Sequence, residues 1–420
     1  MFIVGGPAIN EINPATAELL AGLPFARDRD IVLYNQRGVG FARPRLGCPE
    51  FDVVRDAAFP REARPRRWLA AVRACRRRLV QADVKLDAYT AAQDAADLDA
   101  LRRAVLGAGS WNVYALSAGA VIGLTAMRLR PAGIRSMILD SPLGTTFKLR
   151  GPDVWGSADR ALEKLFAYCA ADARCEAVHP RLRARFYRRV HALRRRPGSV
   201  ELPLATGSTF GRVVGGDRLL VDAAACAGDP FCAPRLPTRL EAAARGRLAG
   251  YYAGTVLTPP ARRDVSTAEG KAAVSRCHDQ ITFERDAELR AAARTLVEWR
   301  AHLRTLRFIY VPQLTRQACR VWHVGRAQGA QHRLIVSGIP TLVLTGEWDG
   351  TVWPREGRRI AANLWNSFFY EFPGIGHATL TYAQVGRDCP VRIAAAFVEE
   401  PRTRPDATCV AQMPKLVLSP

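Results

Sequence analysis

A single serine, Ser117, stands where a run of strand-forming residues, Trp111-Asn112-Val113-Tyr114-Ala115-Leu116, meets the small residues Ala118-Gly119-Ala120. A helix-like segment, Val121 to Leu129, follows and runs to Pro131. This pattern predicts a strand that turns at once into a helix, with the serine hydroxyl exposed at the bend. Such a turn has no room for large side chains two residues before or after the serine, and Ala115 and Gly119 meet that demand. The start of the helix also offers free N–H groups and a partial positive charge to a developing anion. The same letters would also suit a buried strand and a core helix with Ser117 as a plain N-cap, so the rest of the chain has to separate the two.

A hydroxyl nucleophile needs a general base, and the base needs a carboxylate to fix its tautomer and stabilise its charged form. Downstream, Pro340-Thr341-Leu342-Val343-Leu344-Thr345-Gly346 reads as a buried strand that empties into a turn carrying Asp349. A second strand, Ser367 to Phe372, leads to the loop Gly374-Ile375-Gly376-His377-Ala378. One helix and one strand fit between Asp349 and His377, which places both at the sheet edge where Ser117 lies. Each has a plainer reading. Asp349 could form an Asp-Gly turn, Glu347 is a rival carboxylate, and His377 could cap a helix. Of the seven histidines, however, His377 is the one that follows a strand within a glycine-flanked loop, whereas His278 and His323 read as structural or surface residues. At the start of the chain, Phe2-Ile3-Val4 runs into Gly5-Gly6-Pro7-Ala8. A glycine turn there can aim the Gly6 N–H at a carbonyl oxygen, with the Ala118 N–H as second donor to the oxyanion. An ordinary Gly-Pro turn is the alternative.

The order serine, acid, histidine is that of the α/β-hydrolases, and the chain resembles their proline-iminopeptidase and tripeptidyl-aminopeptidase group. Gly5-Gly6-Pro7 is similar to that group's Gly-Gly-Pro-Gly turn. Asn35-Gln36-Arg37-Gly38-Val39-Gly40 resembles its Asp-Gln-Arg-Gly-x-Gly signature, followed by Cys48-Pro49-Glu50. Asp87-Ala88-Tyr89-Thr90 with Asp94, Asp97, Leu98 and Leu101, then Cys277-His278-Asp279 and Cys319-Arg320-Val321-Trp322, continue the likeness. Four positions depart from the pattern: Ala8 and Ala115 stand for glycine, Asn35 for aspartate, and Ala118 for a residue usually tyrosine. No triad member is lost. The resemblance implies an exopeptidase that trims short peptides from their N-terminus, with cap carboxylates holding the substrate amine, for which Asp279 and Glu284 are the candidates. It also implies the pairs Cys48–Cys75, Cys277–Cys319 and Cys389–Cys409. The fold normally carries further strands before the Gly-Gly-Pro turn, so the chain is read as lacking its natural N-terminus. No basic region followed by an apolar one is present to mark a secretory signal.

The ten cysteines admit on the order of a thousand pairings. Pairing of neighbours would close short loops at Cys169–Cys175 and Cys226–Cys232. Zinc lacks a Cys-x-x-Cys pair to seed a site, and buried free thiols are the other alternative. Disulfides argue for an oxidising compartment and hence export. A chain of 420 residues, 48% hydrophobic and 24% charged, is of ordinary globular composition. No apolar run reaches the ~20 residues of a membrane span. The net charge of +22 raises nucleic acid as a partner. Yet Arg183, Arg185, Arg188, Arg189 and Arg195 flank an apolar stripe of Leu182, Phe186, Val190 and Leu193, the pattern of a solvated amphipathic helix. No nucleic-acid-binding signature accompanies them. The charge suits contact with an anionic envelope surface instead.

The expected fold is therefore α/β, a mostly parallel sheet with a largely helical cap inserted between core strands. Residues 1–145 form the first part of the core, with strands at Met1–Val4, Ile31–Leu33, Trp111–Leu116 and Ser136–Leu139. Residues 146–332 form the cap. Residues 333–420 complete the core with strands at Leu342–Leu344 and Phe368–Phe372 and a helix at Val391–Val398. The function expected is acyl transfer from a peptide or small ester, without cofactor or metal. A carboxylesterase or lactonase is the alternative, and a non-catalytic basic binding protein on the same scaffold is the second.

Overall fold

The computed structural model describes residues 1–6, 8–52, 63–203, 209–254, 267–305 and 316–419. Five strands form one sheet in which every neighbouring pair is parallel: β1 (Phe2–Ile3), β2 (Trp111–Leu116), β3 (Ile134–Asp140), β6 (Thr341–Gly346) and β7 (Ser367–Phe372), in that spatial order. The central strands are buried on both faces, as parallel strands under helices must be. Alternate residues feed two cores. Ile3, Val113, Ala115, Met137, Leu139 and Val343 pack with Leu124 and Ile360 from the helices Gly119–Leu129 and Pro354–Ala361. Phe2, Tyr114, Ile138, Leu342 and Leu344 pack on the other face with Ile393 and Phe397 of the helix Cys389–Glu399.

Two sequence expectations change. Ile31–Leu33 is not a strand: Leu33 makes one bridge to Phe2, and the Phe2 N–H donates to Val32 O at 3.1 Å. The chain then leaves the sheet edge at Asn35, whose side-chain oxygen accepts the Glu11 N–H at 3.0 Å. Between β3 and β6 helices prevail, yet Gly198–Pro203 (β4) and Thr209–Val214 (β5) make an antiparallel hairpin. Val200 and Leu202 point inward while Ser199, Glu201 and Pro203 do not, a period-two pattern too short to stand out beside the arginine-rich helix before it. That helix, Leu182–Arg195, buries Leu182, Phe186, Val190 and Leu193, and its arginines bind carboxylates such as Glu163 and Asp217. No helix among the described residues is long and apolar enough to cross a membrane.

All ten cysteines are paired: Cys48–Cys75, Cys169–Cys175, Cys226–Cys232, Cys277–Cys319 and Cys389–Cys409. Cys277–Cys319 joins the helix Glu269–Asp279 to the helix Arg316–Trp322 across a sequence separation of 42. Closing a loop of that length restricts the unfolded chain by about 4 kcal/mol on the chain-entropy account. The double substitution Cys277→Ser/Cys319→Ser is therefore expected to cost about 2–4 kcal/mol, read as a lower denaturant midpoint than the wild type under non-reducing conditions.

Candidate active site

Ser117 has φ +52°, a left-handed backbone that a residue with a side chain adopts at a cost of about 1–3 kcal/mol. Three backbone bonds hold it there: its N–H donates to Asp140 O at 2.8 Å, and its carbonyl accepts from Leu143 N at 3.0 Å and Ala120 N at 3.1 Å. Gly119 is required by close approach, since a Cβ at this position would lie 2.5 Å from the carbonyl oxygens of both Ile3 and Val4. Ala115 is accommodated where the pattern has glycine because Gly123 stands opposite it; a Cβ on Gly123 would lie 3.1 Å from that of Ala115.

The loop after β7 brings His377 to the serine. His377 Nε2 lies 2.9 Å from Ser117 Oγ, and His377 Nδ1 lies 2.7 Å from Asp349 Oδ2. The carboxylate orders the ring: Nδ1–H donates to Asp349 and leaves Nε2 free to accept the serine proton. Asp349 is fully buried, and its Oδ1 accepts the N–H groups of Thr351 at 2.9 Å and Val352 at 2.8 Å. Burial works to lower the His377 pKa, but the charge and hydrogen bond of Asp349 outweigh it and leave the imidazole above its ordinary value of 6.5. Glu347, the rival acid, binds Lys164 Nζ at 2.7 Å and the Gly374 N–H at 2.9 Å instead.

Asp140, at the end of β3, is a support that the sequence reading did not single out. Its buried carboxylate accepts the N–H groups of Thr379 at 2.9 Å and Leu380 at 3.2 Å and the Tyr114 hydroxyl at 2.9 Å. Ser141 Oγ accepts the Ala378 N–H at 3.0 Å. Together they pin the chain directly after His377. An acid at the end of a core strand, beside the elbow strand, was the available signal.

The glycine turn follows β1, with Gly6 at φ +68° and Ala8 at φ +50°; Pro7 lies outside the described residues. Neither the Gly6 N–H nor the Ala118 N–H has a hydrogen-bond partner among the described residues. A buried relay supports this turn: Asn35 Oδ1 holds the Glu11 backbone, and Glu11 Oε1 accepts the Val4 N–H at 2.9 Å. Burial pushes the Glu11 carboxyl well above the usual carboxylate range.

Beside the serine lies a small cleft, lined in part by Gly6, Ala118, Val121, Asp94, Arg276 and Asp279. Asp279 reaches this cleft, but its oxygens accept from the Ala91 N–H at 2.9 Å and face His278 Nδ1 at 2.7 Å. Glu284 is not among the lining residues. It is buried, and both of its oxygens accept the Arg150 N–H at 3.1 Å, with Arg150 Nε 3.3 Å from Oε2. Burial lifts the Glu284 carboxyl to about 7.

Asp140→Asn puts an amide N–H₂ against backbone donors. It is expected to lower stability by about 1–3 kcal/mol in a denaturant titration. Because it also removes a negative charge that raises the His377 pKa, it is expected to move the His377 titration to lower pH by NMR. An unmoved titration would confine Asp140 to a structural role.

Comparison with known proteins agrees with this architecture. The model for the alpha/beta hydrolase fold matches residues 2–196, the stretch that contains β1 to β3 and Ser117. No curated protein matches the sequence. Similar solved structures include a thermophilic esterase from Thermogutta terrifontis, at 13% identity over 75% of this chain and 74% of that one, with a TM-score of 0.31. A serine hydrolase from the polyaromatic-hydrocarbon-degrading bacterium Cycloclasticus zankles is 10% identical over 95% of this chain and 88% of that one, with a TM-score of 0.36. Est816, described as an N-acyl homoserine lactone degrading enzyme, is 11% identical over 92% and 88%, also with a TM-score of 0.36. The fold-model match over residues 2–196 and the parallel sheet covered by helices on both faces establish that this chain has the α/β-hydrolase fold.

Proposed function

We propose that the protein is a serine hydrolase that works through an acyl-enzyme. The observation that carries this reading is the unbroken chain from Ser117 Oγ through His377 to Asp349, at 2.9 and 2.7 Å. Ser117 Oγ attacks the substrate carbonyl carbon while its proton passes to His377 Nε2. The oxygen that becomes negative is met by the free N–H groups of Gly6 and Ala118. The tetrahedral species collapses as the bond to the leaving group breaks, and His377 returns its proton to that group. Water then attacks the acyl-enzyme, giving its proton to His377, and the acid departs as Ser117 recovers its hydrogen.

On the substrate side, the resemblance at Gly5-Gly6-Pro7, Asn35–Gly40 and Cys277-His278-Asp279 supports an exopeptidase acting at peptide N-termini. The segment between β3 and β6 then serves as a cap over the site. A carboxylesterase or lactonase is the second reading. It is favoured by one observation: both oxygens of Asp279 and of Glu284 already have partners within the protein. Five disulfides are compatible with an oxidising location, and we place the enzyme outside the cytoplasm on that basis.

A panel of aminoacyl and peptidyl coumarin amides, their N-acetylated forms, 4-nitrophenyl esters and lactones tests these readings. Turnover of free-amine peptides, abolished by N-acetylation, is the exopeptidase result; turnover of esters or lactones alone is the esterase result. In either case Ser117→Ala is expected to reduce kcat at least about a thousandfold. Absence of turnover across the panel by folded, oxidised protein would contradict the proposal. Because His377 must be neutral to accept the proton and its pKa is raised, kcat/KM is expected to rise with pH through a midpoint above 6.5. A midpoint below 6.5 would show that Asp349 does not stabilise the imidazolium.

A further inference from the structure

The cleft beside Ser117 is lined by three charged side chains, Asp94, Arg276 and Asp279. Two have partners. Asp94 Oδ2 binds Lys271 Nζ at 2.6 Å, both groups being buried, and Asp279 is held by the Ala91 N–H and His278. The Arg276 side chain makes no hydrogen bond or ion pair with any described residue. This sets it apart from Arg37, Arg150 and Arg194, each of which is bound to a carboxylate. Arg276 is half-buried; desolvation without a counter-charge lowers its pKa to about 10, and a ligand anion would offset that cost.

A second donor stands four residues further along the chain, where the helix Glu269–Asp279 ends. Gln280 also lines the cleft, is 3% exposed, and has no partner for its amide nitrogen Nε2. Ala272 and Arg276, four residues apart, share one face of the helix Glu269–Asp279, and Gln280, the residue that ends this helix, joins them and Ala118 in the lining of the cleft. A planar guanidinium and an amide N–H₂ lining one cleft are suited to an acceptor with two oxygens.

We propose that Arg276, assisted by Gln280, determines the specificity of this cleft by holding a free carboxylate of the substrate, so that the preferred substrates carry an acid group in addition to the bond that is cleaved. The word substrate rests on the hydrolase reading of Ser117; the carboxylate site does not. A net charge of +22 adds long-range attraction for anionic molecules.

The test compares kcat/KM for mono-4-nitrophenyl adipate with that for uncharged 4-nitrophenyl hexanoate. The wild type is expected to favour the half-ester at least tenfold. Arg276→Gln is expected to lower the ratio of the two values about 10- to 100-fold, and Arg276→Lys, which keeps the charge but not the fork, to lower it less. A wild-type ratio near one, or a ratio unchanged in Arg276→Gln, would overturn the proposal. If Arg276→Gln does not fold, Gln280→Ala serves instead, with an expected fall of a few-fold, and an unchanged ratio there has the same contrary meaning. Calorimetry of adipate binding to Ser117→Ala protein separates this claim from the hydrolase reading. Binding weakened at least tenfold by adding Arg276→Gln supports the site even if neither ester is hydrolysed, in which case the hydrolase reading alone fails. No adipate binding overturns the carboxylate site.

Discussion

The tight packing between the β1 backbone and the turn at Ser117 is the constraint on which the rest of this molecule depends. The helix Gly119–Leu129 starts so close to β1 that only a hydrogen fits between Gly119 and the carbonyls of Ile3 and Val4. At that turn the serine has a left-handed backbone, and its hydroxyl lies 2.9 Å from His377 Nε2. The N–H of Ala118 is left unbonded next to the Gly6 turn that continues β1. The proposed nucleophile and oxyanion donors thus come from one steric arrangement, and the strain at Ser117 is held by bonds to Asp140, Leu143 and Ala120.

The histidine side of the site is built differently, by polar groups buried where water cannot compete. Asp349 is saturated by Thr351, Val352 and His377, so its charge is stabilised without solvent and its geometry is fixed. Asp140 does the same for the backbone after His377. The two acids sit at the ends of β6 and β3, adjacent strands of the sheet, so the parallel register itself sets the spacing of the loops they anchor. The disulfides add restraint further out. Cys277–Cys319 secures the helix that forms one wall of the cleft, and Cys389–Cys409 secures the helix that covers the sheet behind β7.

The parts of this arrangement that were legible in the sequence are those ruled by local sterics or chain order. Residue size around Ser117 announces the turn, and the positions of Asp349 and His377 after core strands announce their edge of the sheet. The supports were not legible, because they pair residues far apart in sequence. Asp140 meets Thr379 across 239 positions, and Glu284 is neutralised by Arg150 across 134. A carboxylate in a sequence gives no sign of whether an arginine already binds it, so the Arg150 contacts of Glu284 could not be read there. The strand at Ile31–Leu33 failed for a related reason: its β-forming letters are sound, but a ladder needs a partner along its length, and the chain turns away at Asn35. The β4–β5 hairpin shows the reverse, a weak local pattern stabilised by pairing along all six residues of each strand.

The central claim is that Ser117 is an activated nucleophile, and intact-mass analysis of oxidised protein treated with an uncharged fluorophosphonate tests it most directly. The account predicts one adduct, mapped to Ser117, that is absent in Ser117→Ala and slowed at least about a hundredfold in His377→Ala. A folded sample that gains no adduct, or gains one at another residue, would contradict it.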